Sequence, residues 1–177
     1  MIISTKNEDF ITIRKGNVWV FPDNVNTDAI SPSQYINDIK EMLNHTCETI
    51  NSKFAKEVKN GDIIVGGRNF GCGSSRETAP SILQQKGITA IIAESFARIF
   101  YRSSFAIALP LLEIEGISNK FNTGDEIRID ILEAEVLNIS TGKKFKGKKI
   151  DPILLKILKN GGLEKQLLKE SKNEVVT

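Results

Sequence analysis

Two hydrophobic rhythms alternate along the first two thirds of the chain. Short apolar runs rich in β-branched residues, bounded by Gly, Asn, Asp or Pro, predict strands at Phe10–Phe21, Asp62–Val65, Ile88–Ala93 and Pro110–Ile114, with Lys15-Gly16-Asn17 as a turn within the first. Between them, apolar residues recur at helical spacing. Tyr35, Ile36, Ile39, Met42 and Leu43 predict a helix over Gln34–Cys47, and Phe54, Ala55 and Val58 a second over Ser52–Lys59. Ile82 and Leu83 mark a third, which starts at Ser75 or Thr78 because Pro80 is tolerated only near a helix start, and which Lys86-Gly87 ends. A fourth covers Phe96–Leu109. Ile88–Ala93 is apolar on both faces, as a strand inside a parallel sheet must be. Strand–helix–strand repetition of this kind implies right-handed βαβ units.

Beyond Gly116 the rhythm changes to short alternating strands at Glu126–Leu132, Glu135–Ile139 and Lys143–Phe145. A helix at Asp151–Leu158 and a turn or two at Leu163–Leu168 follow. The expected fold is therefore α/β, with a mostly parallel central sheet and a smaller antiparallel part. Residues 1–15 are expected to be an N-terminal extension, 16–168 a single domain and 169–177 a frayed tail.

Composition narrows the setting. A chain of 177 residues, 40% hydrophobic, suits one globular domain with a core, and a net charge of +2 demands neither nucleic acid nor a membrane as partner. No apolar run approaches the roughly 18–20 residues that span a bilayer, and the N-terminus lacks a secretory pattern. Two cysteines, Cys47 and Cys72, and one histidine, His45, fall short of a structural metal site in this chain; a cytoplasmic, reduced protein is the expectation, with both cysteines as packing. Lys143–Lys149, with five lysines in seven residues, reads as a solvated hairpin.

The chemistry concentrates in Gly66-Gly67-Arg68-Asn69-Phe70-Gly71-Cys72-Gly73-Ser74-Ser75-Arg76, between a strand and a helix start. Four glycines in eight residues allow close backbone approach to a ligand, and Arg76 can grip a carboxylate through two parallel hydrogen bonds. Arg76 stands where a dinucleotide loop needs its third glycine. There is no Gly-Lys-Ser/Thr for a nucleotide-phosphate loop and no Gly-x-Ser-x-Gly elbow. A Ser-His-Asp triad would depend on His45, in a polar helix end. These residues establish a small-anion site with hydroxyls beside it. A stand-alone anion- or RNA-binding module using the loop and the lysines is a reading of a different class, to be told apart by a steep salt dependence.

Gly71–Glu77, Ala93–Phe100 and Asp23–Asp28 together resemble three stretches of the small subunits of 3-isopropylmalate dehydratases, in the same order, over residues 16–168. These are the swivelling β/β/α domains of the aconitase superfamily; the small subunits of homoaconitases and dimethylmalate dehydratases are similar. The resemblance implies a hydro-lyase that isomerises a malate derivative by dehydration and rehydration, in leucine biosynthesis for isopropylmalate. It implies a heterodimer or heterotetramer with a large subunit that carries a [4Fe–4S] cluster, this chain holding none, and a small di- or tricarboxylate substrate. It gives Ser74 the role of catalytic base and Arg76 that of carboxylate clamp, with Ser75, Asn69 and Gly73 also binding substrate. The loop Ser33, Gln34, Tyr35, Ile36, Asn37 and Asp38 would face the variable end of the substrate. Thr78 stands where such chains commonly have histidine, and Ser31-Pro32 where they have Ile-Pro.

Overall fold

A computed structural model describes residues 10–74, 76 and 78–174. One sheet of seven strands runs in the order β4-β3-β2-β1-β5-β6-β7. Strand β1 (Ile13–Val20) joins its two halves. Through Val18–Val20 it pairs in parallel with β2 (Ile63–Gly66), which is followed outward by β3 (Ala90–Ala93) and β4 (Leu111–Glu113). Through Ile13–Asn17 it pairs antiparallel with β5 (Glu126–Asp130), followed by β6 (Glu135–Asn138) and β7 (Lys143–Lys146). Every residue of β2 and β3 is buried, as expected for strands covered on both faces. The expected combination of a parallel part and an antiparallel part is thus present in a single sheet.

Seven α-helices complete the described fold: α1 (Thr27–Ile30), α2 (Ile39–Asn44), α3 (Phe54–Glu57), α4 (Thr78–Gln85), α5 (Arg98–Ala106), α6 (Pro152–Lys159) and α7 (Leu163–Glu174). Phe70, fully buried, anchors the glycine loop. Its ring meets Phe21, Phe96 and Phe100 at centroid distances of 6.3, 6.0 and 5.5 Å. At the opposite end of β2, the buried Asp62 carboxylate accepts from Trp19 Nε1 and from Lys59 N, both at 2.9 Å.

Several sequence expectations are corrected. No hairpin turn occurs at Lys15-Gly16-Asn17, because β1 runs straight through; a Cβ at Gly16 would lie 2.0 Å from the Gly61 carbonyl oxygen, so this glycine serves a close backbone approach. Residues 13–15, expected in the extension, belong to the sheet. The helix expected over Gln34–Cys47 splits into a 3-10 turn at Ser33–Tyr35 and α2, because the Asp38 side chain takes the Glu41 N–H at 3.1 Å and caps a new start. Helix α5 begins at Arg98 rather than Phe96, because Ala97 N donates to Phe70 O in a sheet-like pairing. Helix α4 begins at Thr78, with Pro80 in its first turn.

Helix α7 continues past Leu168 to Glu174. Glu170, expected in the frayed tail, accepts from Lys156 Nζ at 2.8 Å and Gln166 Nε2 at 3.1 Å and ties α7 to α6. The lysine-rich hairpin is solvated as expected, with Lys146 and Lys149 facing Glu135 and Glu133 at 3.7 and 3.0 Å. Among the described residues no helix is long and apolar enough to cross a membrane.

Candidate active site

The described residues of the three stretches, Asp23–Asp28, Gly71–Glu77 and Ala93–Phe100, lie at or beyond the carboxyl ends of the parallel strands β1, β2 and β3. Open α/β sheets place ligands at this edge, where loops can converge without breaking the core. Backbone hydrogen bonds lace the three together. Gly71 N donates to Val25 O and Thr27 N to Cys72 O, both at 2.8 Å, and Phe70 N donates to Ser95 O at 3.0 Å. The loops therefore continue the sheet rather than wave above it.

Ser74 is exposed at the rim of a cleft of about 560 Å³. Its carbonyl accepts from Thr27 Oγ1 at 2.9 Å, which pins its backbone. Its Oγ accepts from Arg76 Nε at 3.0 Å. A guanidinium donating to a hydroxyl favours the deprotonated form of that hydroxyl, the form a base needs. The other two nitrogens of Arg76 are engaged as well: Nη1 donates to Ser31 O and Nη2 meets Asp28 Oδ1, each at 2.7 Å. The fork is held on three sides before any ligand arrives.

Asn69 and Gly73 line the same cleft as Ser74 and Arg76. Asn69 takes a left-handed backbone, φ 57°, and is fixed through Ser95 Oγ and Asn24 Oδ1, both at 2.9 Å. Gly73 packs against the Asn26 side chain. Ser75 lies outside the described residues. The opposite wall comes from α5, including Arg98, Ile99 and Arg102. The loop Ser33–Asp38 does not line this cleft. Ser33, Gln34 and Tyr35 line a separate hollow of about 370 Å³ with Asp28 and His45, and the Tyr35 ring stacks on His45 at 4.5 Å. Ile36 is 62% exposed, and Asp38 is spent as the α2 cap.

Sequence reasoning missed Thr27, Asp28 and Ser31 as supports and the α5 arginines as a wall. Thr27 and Asp28 stood inside a stretch already singled out, but contacts that cross 47 or 48 positions leave no local periodicity to read. The two departures noted above meet in space: Ser31 Oγ and Thr78 Oγ1 are 3.0 Å apart, with Ser31 Oγ also 3.0 Å from Met42 Sδ. A hydroxyl pair thus occupies the contact between α1 and α4.

Cys47 is fully buried, and burial pushes its thiol well above the usual range. Cys72 is half-buried, with Sγ 3.6 Å from Val25 O. Among the described residues no group of three or more His, Cys, Asp or Glu could hold a metal ion, so the described residues do not fit an iron–sulfur cluster.

Residues 23–115 match the family described as the aconitase C-terminal domain. The chain is 48% identical over 151 residues to a 3-isopropylmalate dehydratase small subunit from Thermodesulfovibrio yellowstonii, covering 84% of this chain and 90% of that one. The chain belongs to the aconitase family of hydro-lyases. Within that family it is also 45% identical over 159 residues to a methanogen homoaconitase small subunit from Methanothermobacter thermautotrophicus, covering 89% of this chain and 92% of the relative. The crystal structure of a 3-isopropylmalate dehydratase from Methanocaldococcus jannaschii shares the fold at a TM-score of 0.86 and 38% identity, covering 92% of this chain and 98% of the other. The likeness covers 92% of this chain, so it is one of the fold as a whole.

Proposed function

We propose that this chain is the small subunit of a hydro-lyase that interconverts 2-isopropylmalate and 3-isopropylmalate by dehydration and rehydration, in leucine biosynthesis. The observation that carries the reading is the 3.0 Å contact between Arg76 Nε and Ser74 Oγ at the rim of the cleft. Ser74, held as an alkoxide-prone hydroxyl, takes the proton from the carbon beside a carboxylate. The hydroxyl on the neighbouring carbon departs as hydroxide, which a Lewis acid on the large subunit would take up, leaving an alkene. Rehydration with the opposite orientation returns the proton from Ser74 and places the hydroxyl on the other carbon. Arg76 holds a substrate carboxylate, Asn69 and Gly73 shape the cleft around it, and Ser75 positions the substrate.

Names of relatives as small subunits support a large-subunit partner, in a heterodimer or heterotetramer, with a di- or tricarboxylate substrate. The [4Fe–4S] cluster that the family implies is assigned to that large subunit, and none of the chemistry derived for this chain runs through it. A cytoplasmic location fits this assignment. The polar character of Ser33-Gln34-Tyr35 favours a second reading, a homoaconitase small subunit, whose tricarboxylate substrate is more polar at its variable end; a dimethylmalate dehydratase small subunit is the remaining alternative.

The test is to purify the chain with its large subunit, load the cluster anaerobically and assay a panel of malate derivatives. Ser74→Ala is expected to lower kcat about 10²–10⁴-fold while the complex still assembles; wild-type turnover would remove Ser74 as base. Arg76→Lys loses the fork and is expected to raise KM about tenfold; an unchanged KM would remove the clamp. Preference for a homocitrate-type substrate over isopropylmalate would select the second reading.

A further inference from the structure

We propose that Asp28 is a positioning residue that couples the carboxylate clamp to the loop Ser33–Asp38. The inference rests on the reading of Arg76 given above. One atom carries it. Asp28 Oδ1 lies 2.7 Å from Arg76 Nη2 and accepts from Ser33 N at 3.3 Å. Asp28 lines the hollow beside Ser33–Tyr35, and Arg76 lines the Ser74 cleft, so the ion pair is a charged side-chain link between two spaces that share no lining residue.

Asp28 is mounted firmly enough to aim another side chain. Its own N–H donates to Asn26 Oδ1 at 2.8 Å, the cap of α1. On either side, Thr27 N donates to Cys72 O and Cys47 N donates to Ala29 O, both at 2.8 Å. Arginine is a long, rotamer-rich side chain, and fixing it in advance removes that ordering cost from substrate binding. Arg76 is only 21% exposed, and its contacts with Ser74 Oγ, Ser31 O and Asp28 Oδ1 use one N–H each. Of the roughly five N–H groups on a guanidinium, the described residues leave two for a substrate carboxylate. The clamp can therefore close on substrate with Asp28 still in place.

The opposite role has the opposite sign. If Asp28 were a placeholder that the substrate carboxylate must displace, removing its charge would tighten binding. As a positioning residue, loss of its charge weakens binding and also changes discrimination at the substrate's variable end, because Ser33 loses its charged acceptor at the same time.

Two variants separate the contacts. Asp28→Asn keeps the shape and removes the charge. Ser33→Pro removes the N–H that Asp28 accepts, with Ser33→Ala as the control for the lost hydroxyl. The site tolerates proline, because Ser33 opens a 3-10 turn and the preceding Pro32 is extended at φ −63°, ψ 126°. In the isolated, isotope-labelled chain, Asp28→Asn is expected to speed hydrogen exchange at Arg76 Nε by about tenfold, the size of one charge-assisted hydrogen bond, and to shift the amide resonances of residues 33–38. Ser33→Pro is expected to shift the loop amides with Arg76 Nε exchange little changed.

In the assembled, cluster-loaded complex, Asp28→Asn is expected to raise KM about tenfold with a smaller change in kcat. Both variants are expected to change the ratio of kcat/KM between 3-isopropylmalate and citramalate. Unchanged Arg76 Nε exchange, a lowered KM, or an unchanged ratio in both variants would overturn the inference. Failure of the wild-type complex to turn over any malate derivative would instead overturn the proposed function, while the exchange experiment would still decide whether Asp28 holds Arg76.

Discussion

His45, the sole histidine of the chain, shows how far one residue's chemistry follows from its neighbours. Its Nδ1 lies 2.6 Å from Glu48 Oε2 and its Nε2 3.6 Å from Glu41 Oε2. The hydrogen bond to Glu48 is the main reason its pKa stands above the ordinary 6.5, with attraction to Glu48 and Glu41 adding to it. The protonated form is favoured in the fold. The resulting stabilisation is complete below the unfolded value and is lost as pH rises through the raised folded value. A proton NMR titration of the single imidazole should give a midpoint above 6.5, and Glu48→Gln should bring it down. A wild-type midpoint at or below the ordinary value would contradict the geometry. At this scale Ser74 and Arg76 could be read from residue type and spacing, because a hydroxyl, an arginine and glycines in one loop already specify anion chemistry. Asp28 could not, since its role exists only when position 28 meets position 76.

The elements differ in how legible they were. Strands β2 and β3 were predictable because a short β-branched run has few other stable uses. Helix ends were not, because tertiary hydrogen bonds decided them: Asp38 restarted a helix, and the pairing of Ala97 with Phe70 delayed one. The glycine loop belongs at this scale too. Gly71 has φ 79°, and a Cβ there would fall 2.1 Å from Phe100 Cγ. Gly71→Ala is therefore expected to cost roughly 2–4 kcal/mol, from left-handed strain plus overpacking against α5. Gly142 has a similar φ of 73° but open space around its Cβ, so Gly142→Ala should cost only about 1 kcal/mol. Urea unfolding of both variants measures the difference; equal costs would mean that the packing of the loop on α5 contributes nothing.

At the scale of the whole molecule, the sheet and core are complete within this chain, but the candidate chemistry is half of a reaction. The described residues offer a candidate base, Ser74, and a candidate clamp, Arg76, and no group of His, Cys, Asp or Glu that could hold a metal. The isolated chain is expected to unfold cooperatively in urea and to show no hydro-lyase activity, with turnover appearing only on addition of the cluster-loaded large subunit. Activity in the isolated chain would refute the division of labour between subunits. The parallel and antiparallel halves were legible from the change of rhythm near Gly116. That β1 joins them was not, because its paired residues in the two neighbouring strands lie 45 and more than 100 positions away along the chain.

By itself, the sequence determined which segments become strands and helices and which loop carries anion chemistry, because periodicity and residue type act over a few neighbouring positions. The tertiary structure alone decided that three loops gather at one sheet edge, that Arg76 contacts Ser31, Asp28 and Ser74, and that Asp28 touches both Ser33 and Arg76. Those arrangements are set by strand pairing and packing between residues far apart in the chain, which no local pattern encodes.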